Sequence, residues 1–135
     1  MTEIRLEQVS YAYGQERILE DINLQVTSGE VVSILGPSGV GKTTLFNLIA
    51  GILEVQSGRI VLDGEENPQG RVSYMLQKDL LLEHKTVLGN IILPLLIQKV
   101  DKAEAVARAD DILATFQLTA VRDKYPCLLY TSDAA

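Results

Sequence analysis

The first thirty residues alternate apolar and polar positions in the way that half-buried β-strands do. Residues 22–26 place Ile, Leu and Val at every second position, with Asn and Gln between them. This two-residue period predicts a strand with one covered face. Residues 4–13 show a similar apolar pattern, and the Gly14-Gln15 pair that follows is a turn signal. The segment is therefore expected to form an antiparallel sheet.

The pattern changes at residue 31. Val31–Leu35 is nearly continuous in apolar residues, which is typical of a strand covered on both faces in a parallel sheet. The run stops at the glycine-rich segment Gly36–Gly39, and apolar residues then recur at helical spacing over residues 45–52. Gly51 falls near the expected helix end. These residues predict a buried strand, a glycine-rich loop and a helix, in that order.

Two further strands and two helices are predicted downstream. Residues 59–62 and 71–76 have strand-like patterns, whereas residues 86–98 are apolar and helical in character despite an internal proline. Residues 101–116 form a clearer amphipathic helix with capping-box spacing at its start. We expect at least two of the three leucines at 80–82 to lie in the core.

Composition narrows the class of protein. The 135 residues are 47% apolar and 22% charged, which fits one globular domain, and the net charge of −6 argues against a nucleic-acid binder. The longest apolar run, Ile91–Ile97, is far shorter than the roughly 20 residues that cross a bilayer. A single cysteine excludes a disulfide framework, and one cysteine with one histidine argues against a Cys/His metal site. Met1 leads directly into a strand-like pattern, so we expect no secretory signal and a cytoplasmic domain.

Gly36–Thr43 matches the phosphate-binding pattern G-x-x-x-x-G-K-[ST]. Its glycines allow a tight turn whose N–H groups reach phosphates, and a following helix N-terminus favours the anion. Lys42 is expected to contact the β- and γ-phosphates, and the Thr43 hydroxyl to ligate Mg²⁺. The alternatives are a plain glycine-rich turn and a dinucleotide fingerprint, which fits less well because Thr44 occupies the third glycine position.

The residues of this loop that we predict to bind the nucleotide are Gly36, Ser38, Gly39, Gly41, Lys42, Thr43 and Thr44.

Several short motifs recur in a particular order along the chain. They are Tyr13, Ser28–Glu30, the loop Gly36–Thr44, Ser57–Gly64 and Gln77. In this order and spacing the chain resembles the nucleotide-binding subunit of an ABC transporter. It is more narrowly similar to the ATPase subunits of nitrate/sulfonate/taurine-type importers. The resemblance covers residues 3 to 126.

The resemblance implies a fold, cofactors and two further site residues. The fold is α/β, with a P-loop NTPase core and an antiparallel N-terminal β-subdomain, and the cofactors are ATP and Mg²⁺. Tyr13 matches the aromatic residue that stacks on adenine. Gln77 matches the Q-loop glutamine that contacts Mg²⁺ or the attacking water, and would be catalytic together with Lys42.

The family's partners and location follow from the same resemblance. Such a subunit couples ATP hydrolysis to the import of a small solute. It forms a homodimer with a second ATP-binding subunit, contacts integral-membrane permease subunits and acts indirectly with a solute-binding protein. It binds no nucleic acid and lies on the cytoplasmic face of the membrane. Another P-loop NTPase and a non-catalytic nucleotide-dependent binding module stay open as alternatives.

The resemblance stops after Tyr125-Pro126, before the family's signature, Walker B and switch-histidine motifs. We therefore expect residues 1–126 to be the N-terminal portion of an ABC-type domain and the chain as given to be inactive. Residues 127–135 resemble the read-through of a sequencing adapter and are predicted to be a non-native tail. A divergent natural C-terminus is the alternative.

Overall fold

A computed structural model describes residues 2–67, 69–78 and 80–129. They form two compact units, the first ending at Met75 and the second beginning at Leu76. Most of the predicted non-native tail, from residue 130 onward, lies outside the described residues. Its assignment stays a prediction.

The first unit is built on a four-stranded antiparallel sheet in the order β2-β1-β3-β4. Its strands are β1 (Glu3–Tyr13), β2 (Glu16–Thr27), β3 (Ser57–Leu62) and the short β4 (Glu65–Glu66). Helix α1 (Lys42–Ile49) lies between β2 and β3 in the chain. The predicted antiparallel N-terminal sheet and the helix after the glycine-rich loop are confirmed.

One face of this sheet forms the core of the first unit. Leu6 of β1 pairs directly with Leu24 of β2 and with Ile60 of β3. Because directly paired residues point to the same face of a sheet, these three side chains lie together. Leu45 and Leu48 of α1 are buried in the same cluster. The opposite face is charged, and there Arg59 donates to Glu7 and, at 2.9 Å, to Glu66.

β1 is irregular in its second half. Its register with β2 shifts between Leu6 and Val9, and Gln8 adopts the left-handed region at φ 51°. Gly58 of β3 lies against this bulge with φ 78°. A Cβ atom at Gly58 would lie 2.3 Å from the Gln8 carbonyl oxygen, so only glycine fits there.

Two predicted strands are absent from the sheet. Val31–Leu35 and residues 71–76 have no ladder partner among the described residues, and Val31 and Leu35 are 94% and 92% exposed. The prediction of a strand covered on both faces is therefore wrong for this structure. A strand is held by hydrogen bonds to a neighbouring strand. Among the described residues no strand pairs with Val31–Leu35 or with residues 71–76. An apolar groove of about 430 Å³ lies beside Val32 and Ile34.

The second unit is helical. It contains α2 (Val87–Ile97), α3 (Lys102–Thr115), a 3-10 turn (Thr119–Val121) and the short α4 (Pro126–Leu129). Both longer helices lie within their predicted ranges. The Thr86 and Asp101 side chains cap them by accepting from the amides of Gly89 and Ala103.

Packing in the second unit joins the two helices and the segment after them. Ile92 of α2 is buried with Ala105 and Ala109 of α3. Arg122 donates to the Asp110 carboxylate at 2.6 Å and offers its carbonyl oxygen to the Leu88 amide at 2.9 Å. The segment after α3 is thereby attached to the beginning of α2.

The expectation for the three leucines after the predicted Q-loop is wrong. Leu80 and Leu81 are 71% and 41% exposed, and Leu82 is half-buried. A short apolar run carries no period from which a buried face can be read. Among the described residues no helix has the length and apolar character needed to cross a membrane.

We predict that Gly58→Ala destabilises the first unit far more than Gly64→Ala. Both glycines have positive φ (78° and 84°), but only Gly58 would place a Cβ against backbone oxygens. The left-handed conformation alone costs an alanine roughly 1–2 kcal/mol. The clash at Gly58 adds to that cost. Urea unfolding of the two variants checks this, and equal shifts in midpoint would contradict the bulge geometry.

We predict that the effect of Asp110→Asn on stability depends on pH. The hydrogen bond from Arg122 holds the pKa of the Asp110 carboxyl below its usual value. The ion pair therefore stabilises the fold above the unfolded pKa of about 3.9, and the contribution is lost as the pH falls through the folded pKa. Asp110→Asn should lower the unfolding midpoint at pH 7 and have little effect at about pH 2.

Asp111→Asn is the matched control, since Asp111 is adjacent on α3 and forms no ion pair among the described residues. Urea titrations at both pH values distinguish the two variants. An Asp110→Asn penalty that is independent of pH would show that the carboxylate charge does not contribute.

Candidate functional site

The glycine-rich loop leads into the N-terminus of α1 through two residues of unusual conformation. Gly39 and Gly41 lie in the left-handed region at φ 82° and 105°. Gly41 is the residue before the helix, and no side chain caps it. The first hydrogen bond of the helix runs from the Leu45 amide to the Gly41 carbonyl at 3.0 Å. The amides of residues 42–44 therefore have no partner within the helix.

Gly41 also lies directly against the beginning of β2. A Cβ atom at Gly41 would lie 2.7 Å from Cγ2 of Ile18 and 3.2 Å from the Ile18 carbonyl oxygen. Space and backbone conformation both require glycine here. Because this contact holds the end of the loop on the sheet, the N-terminus of α1 has a defined position.

Lys42 turns back over the loop that precedes it. Its ammonium group donates to the carbonyl oxygens of Gly36 and Pro37, the latter at 2.7 Å. A Cβ at Gly36 would approach Cγ1 of Val40 to 3.0 Å, so the loop is closely folded around this charge. The positive charge thus lies over the loop that leads into the helix amides without an intrahelical partner.

The remaining predicted loop residues differ in exposure. Ser38 and Thr43 are exposed, whereas Thr44 is only 8% exposed. Free amides, a helix N-terminus and one ammonium group together suit a polyphosphate, which is multiply charged and accepts many hydrogen bonds. The geometry therefore fits the phosphate tail of a nucleotide.

Tyr13 lies at the end of β1, at the same end of the sheet as this loop. It pairs with Glu16 across the β1–β2 turn, and Gly41 contacts Ile18 two residues further along β2. The Tyr13 side chain is 50% exposed. Its ring meets that of Tyr11 edge-on, with centroids 5.0 Å apart. An exposed aromatic ring near a phosphate-binding loop is suited to stacking on a base.

Gln77 belongs to the second unit, where it is exposed. Its predicted contact with Mg²⁺ or with the attacking water stays a prediction. Among the described residues no three His, Cys, Asp or Glu side chains are grouped so as to hold a metal ion. The predicted Mg²⁺ ligands are instead a hydroxyl, on Thr43, and a side-chain amide, on Gln77.

Gln56 was missed by the sequence analysis. Its side-chain amide accepts from the Ala12 amide at 2.9 Å and donates to the Ala12 carbonyl at 3.0 Å. These residues are 44 positions apart in the sequence, so no hydrophobic period or turn signal could have revealed the contact.

Comparison with known proteins agrees with this geometry. A family model described as "ABC transporter" matches residues 19–129. The chain is 38% identical over 131 residues to the spermidine/putrescine import ATP-binding protein PotA of Aggregatibacter actinomycetemcomitans, covering 93% of this chain and 35% of that protein. It is also 38% identical to the sulfate/thiosulfate import ATP-binding protein CysA of Synechococcus elongatus, covering 93% of this chain and 38% of the relative.

A solved structure supports the fold. It is a dimeric, post-hydrolysis state of the ATP-binding cassette MJ0796 bound to ADP and Pi. It matches with a TM-score of 0.74 and 26% identity, over 91% of this chain and 61% of that one. The predicted fold class is confirmed. The chain spans little more than a third of the length of the two curated relatives.

Proposed function

The chain belongs to the ABC transporter family, and on that premise we propose that it forms part of the ATP-binding subunit of an importer. The observation that supports this most directly is the loop geometry. Lys42 lies over the carbonyls of Gly36 and Pro37, beside helix amides that have no intrahelical partner. An ammonium group and free amides in one loop are what a triphosphate requires.

In this proposal the nucleotide is bound at both ends. The amides of the loop and of the first turn of α1 donate to the phosphate oxygens, and Lys42 exchanges its carbonyl partners for the β- and γ-phosphates. Tyr13, which is 50% exposed, stacks on the adenine ring. Ser38, which is exposed, adds a hydroxyl beside the phosphates.

Mg²⁺ and hydrolysis involve further residues. Mg²⁺, when bound, neutralises charge on the phosphates, and the exposed Thr43 hydroxyl and the Gln77 side chain are the proposed protein ligands. Hydrolysis also needs an oriented water molecule. Gln77 supplies only part of that function, so we propose that the chain as given binds MgATP weakly and does not turn it over.

The transported solute, the partner subunits and the location are proposed from the family and from the relatives' names. The two curated relatives are named as import ATP-binding proteins for spermidine/putrescine and for sulfate/thiosulfate, and the solute proposed here is likewise a small molecule. Our narrower proposal, from the order of the motifs, is that the subunit belongs to an importer of the nitrate/sulfonate/taurine type. The subunit would act at the cytoplasmic face of the membrane with permease subunits, a second copy of itself and, indirectly, a solute-binding protein.

The extent of the native sequence is also a proposal. We propose that residues 1–126 belong to a longer ATP-binding domain whose further strands pair with Val31–Leu35. The exposure of Val31 and Leu35 supports this. Residues 127–135 are proposed to be adapter-derived, which sequencing of the uninterrupted gene would test.

We predict that Lys42→Ala weakens ATP binding by about ten- to a hundredfold, because charge-assisted hydrogen bonds to phosphate are lost. Equilibrium titration of the chain with ATP and Mg²⁺ measures the change. Lys102→Ala is the matched control, since Lys102 is an exposed lysine of the second unit, and it should bind ATP normally.

Unchanged affinity in Lys42→Ala would contradict the proposed site, and ATP turnover that survives the substitution would have another source. Measurements on a longer version of the subunit also separate the alternatives. ATP binding without hydrolysis there would favour the non-catalytic binding module.

We predict that Thr43→Ala lowers ATP affinity only when Mg²⁺ is present. The substitution removes a metal ligand but keeps the backbone amide that contacts phosphate. Paired titrations with Mg²⁺ and with excess EDTA measure this dependence. Thr43→Ser, which keeps the hydroxyl, is the control. An equal loss in both conditions would mean that the hydroxyl does not act through the metal.

A further inference from the structure

The Gln56 side chain imitates a strand beside the end of β1. Its amide exchanges two hydrogen bonds with the backbone of Ala12, at 2.9 and 3.0 Å. Two bonds exchanged between the same residues are the pattern of a paired position in an antiparallel sheet. Here a side chain supplies one half of that pattern.

This contact lies just beyond the regular pairing of β1 with β3. The last backbone pair between these strands is Ser10 with Ser57, and Gln56 immediately precedes Ser57. Among the described residues no backbone pair between β1 and β3 follows this one. Gln56 therefore continues the ladder to Ala12, the residue before Tyr13.

Tyr13 is consequently held from three directions. Its backbone pairs with Glu16 of β2, its ring packs edge-on against Tyr11, and the preceding residue is bound by Gln56. The Tyr13 side chain is still 50% exposed. The ring is thus oriented by its surroundings while one part stays available to a ligand.

We propose that Gln56 is a positioning residue for Tyr13, and through it for the adenine ring of the bound nucleotide. This inference rests on the proposed function, in which Tyr13 stacks on the base. Stacking requires a narrow range of ring positions, so fixing the backbone beside Tyr13 favours base binding. The phosphates are held separately, by the loop Gly36–Thr44, and Gln56 should not influence them.

The test compares ATP with inorganic tripolyphosphate, which has the phosphates but no base. Gln56→Leu removes both hydrogen bonds and keeps a side chain of similar size. We expect ATP affinity to fall about three- to tenfold, the usual effect of losing exposed hydrogen bonds, and tripolyphosphate affinity to stay unchanged. Both are measured by calorimetric titration of the 135-residue chain with Mg²⁺.

Two further variants complete the comparison. Gln25→Leu is the matched control, because Gln25 is a glutamine of the same sheet that lies opposite Arg5 and donates to Glu3. It should bind both ligands normally. Gln56→Met keeps the length of the glutamine side chain without its donor and acceptor and adds no charge, so the same selective loss of ATP affinity is expected. This variant also provides the answer if Gln56→Leu does not fold.

A double-substitution cycle with Tyr13 isolates the mechanism. In a Tyr13→Ala background, Gln56→Leu should cause no further loss of ATP affinity, since its effect passes through the ring. The chain has no tryptophan, so Tyr13→Trp also provides a single tryptophan, whose fluorescence can be excited separately from that of the remaining tyrosines. Quenching of the Trp fluorescence by ATP should decrease when Gln56→Leu is added to Tyr13→Trp, because the ring is then less well positioned against the base.

The outcomes distinguish the proposed role of Gln56 from the proposed ATP-binding function itself. Equal weakening of ATP and tripolyphosphate, or additive effects with Tyr13→Ala, would show a merely structural role for Gln56 and overturn the inference. Tyr13→Ala weakening ATP while Gln56→Leu does not would also overturn it, leaving the proposed function intact. Unchanged ATP affinity in both Lys42→Ala and Tyr13→Ala would instead reject the proposed function.

Discussion

The contact between Gly41 and the beginning of β2 is the constraint on which the candidate site depends. The backbone of the loop approaches so closely that a Cβ atom would lie 2.7 Å from Cγ2 of Ile18. This approach places the first turn of α1 beside the beginning of β2, which pairs with the end of β1 at Tyr13. One glycine therefore brings the groups suited to phosphate and the ring suited to a base to the same end of one sheet.

The irregular half of β1 ends at the candidate site, whereas its regular half pairs continuously with both neighbouring strands. From Ile4 to Leu6 the pairing of β1 is continuous on both sides, and Ile4 and Leu6 contribute to the core. Beyond Leu6 the register shifts repeatedly, and Gly58 and Gln56 provide the contacts that regular pairing no longer gives. A bulged strand end can direct a side chain outward, because it is released from strict alternation.

Local patterns predicted much of this structure, and non-local contacts explain what they missed. The cap of α3, the first hairpin and the helix after the glycine-rich loop all follow from residues close together in sequence. Val31–Leu35 was wrongly expected to be a covered strand, because a strand depends on partners that its own sequence cannot reveal. Gln56 was overlooked for the same reason, since a side-chain amide binding a distant backbone leaves no periodic signal.

Lys42 has a structural role in the loop that bears on how a nucleotide would bind. The loop is anchored by glycine packing at Gly41, but the segment before Gly36 has no strand partner among the described residues. The Lys42 ammonium group holds this end of the loop by donating to the carbonyl oxygens of Gly36 and Pro37. In the proposed function a phosphate would take over that ammonium group, and the loop would give up two hydrogen bonds as it gained the ligand. Strand pairing before Gly36 would hold the loop independently of Lys42, and preorganisation of that kind raises affinity without any new contact to the ligand.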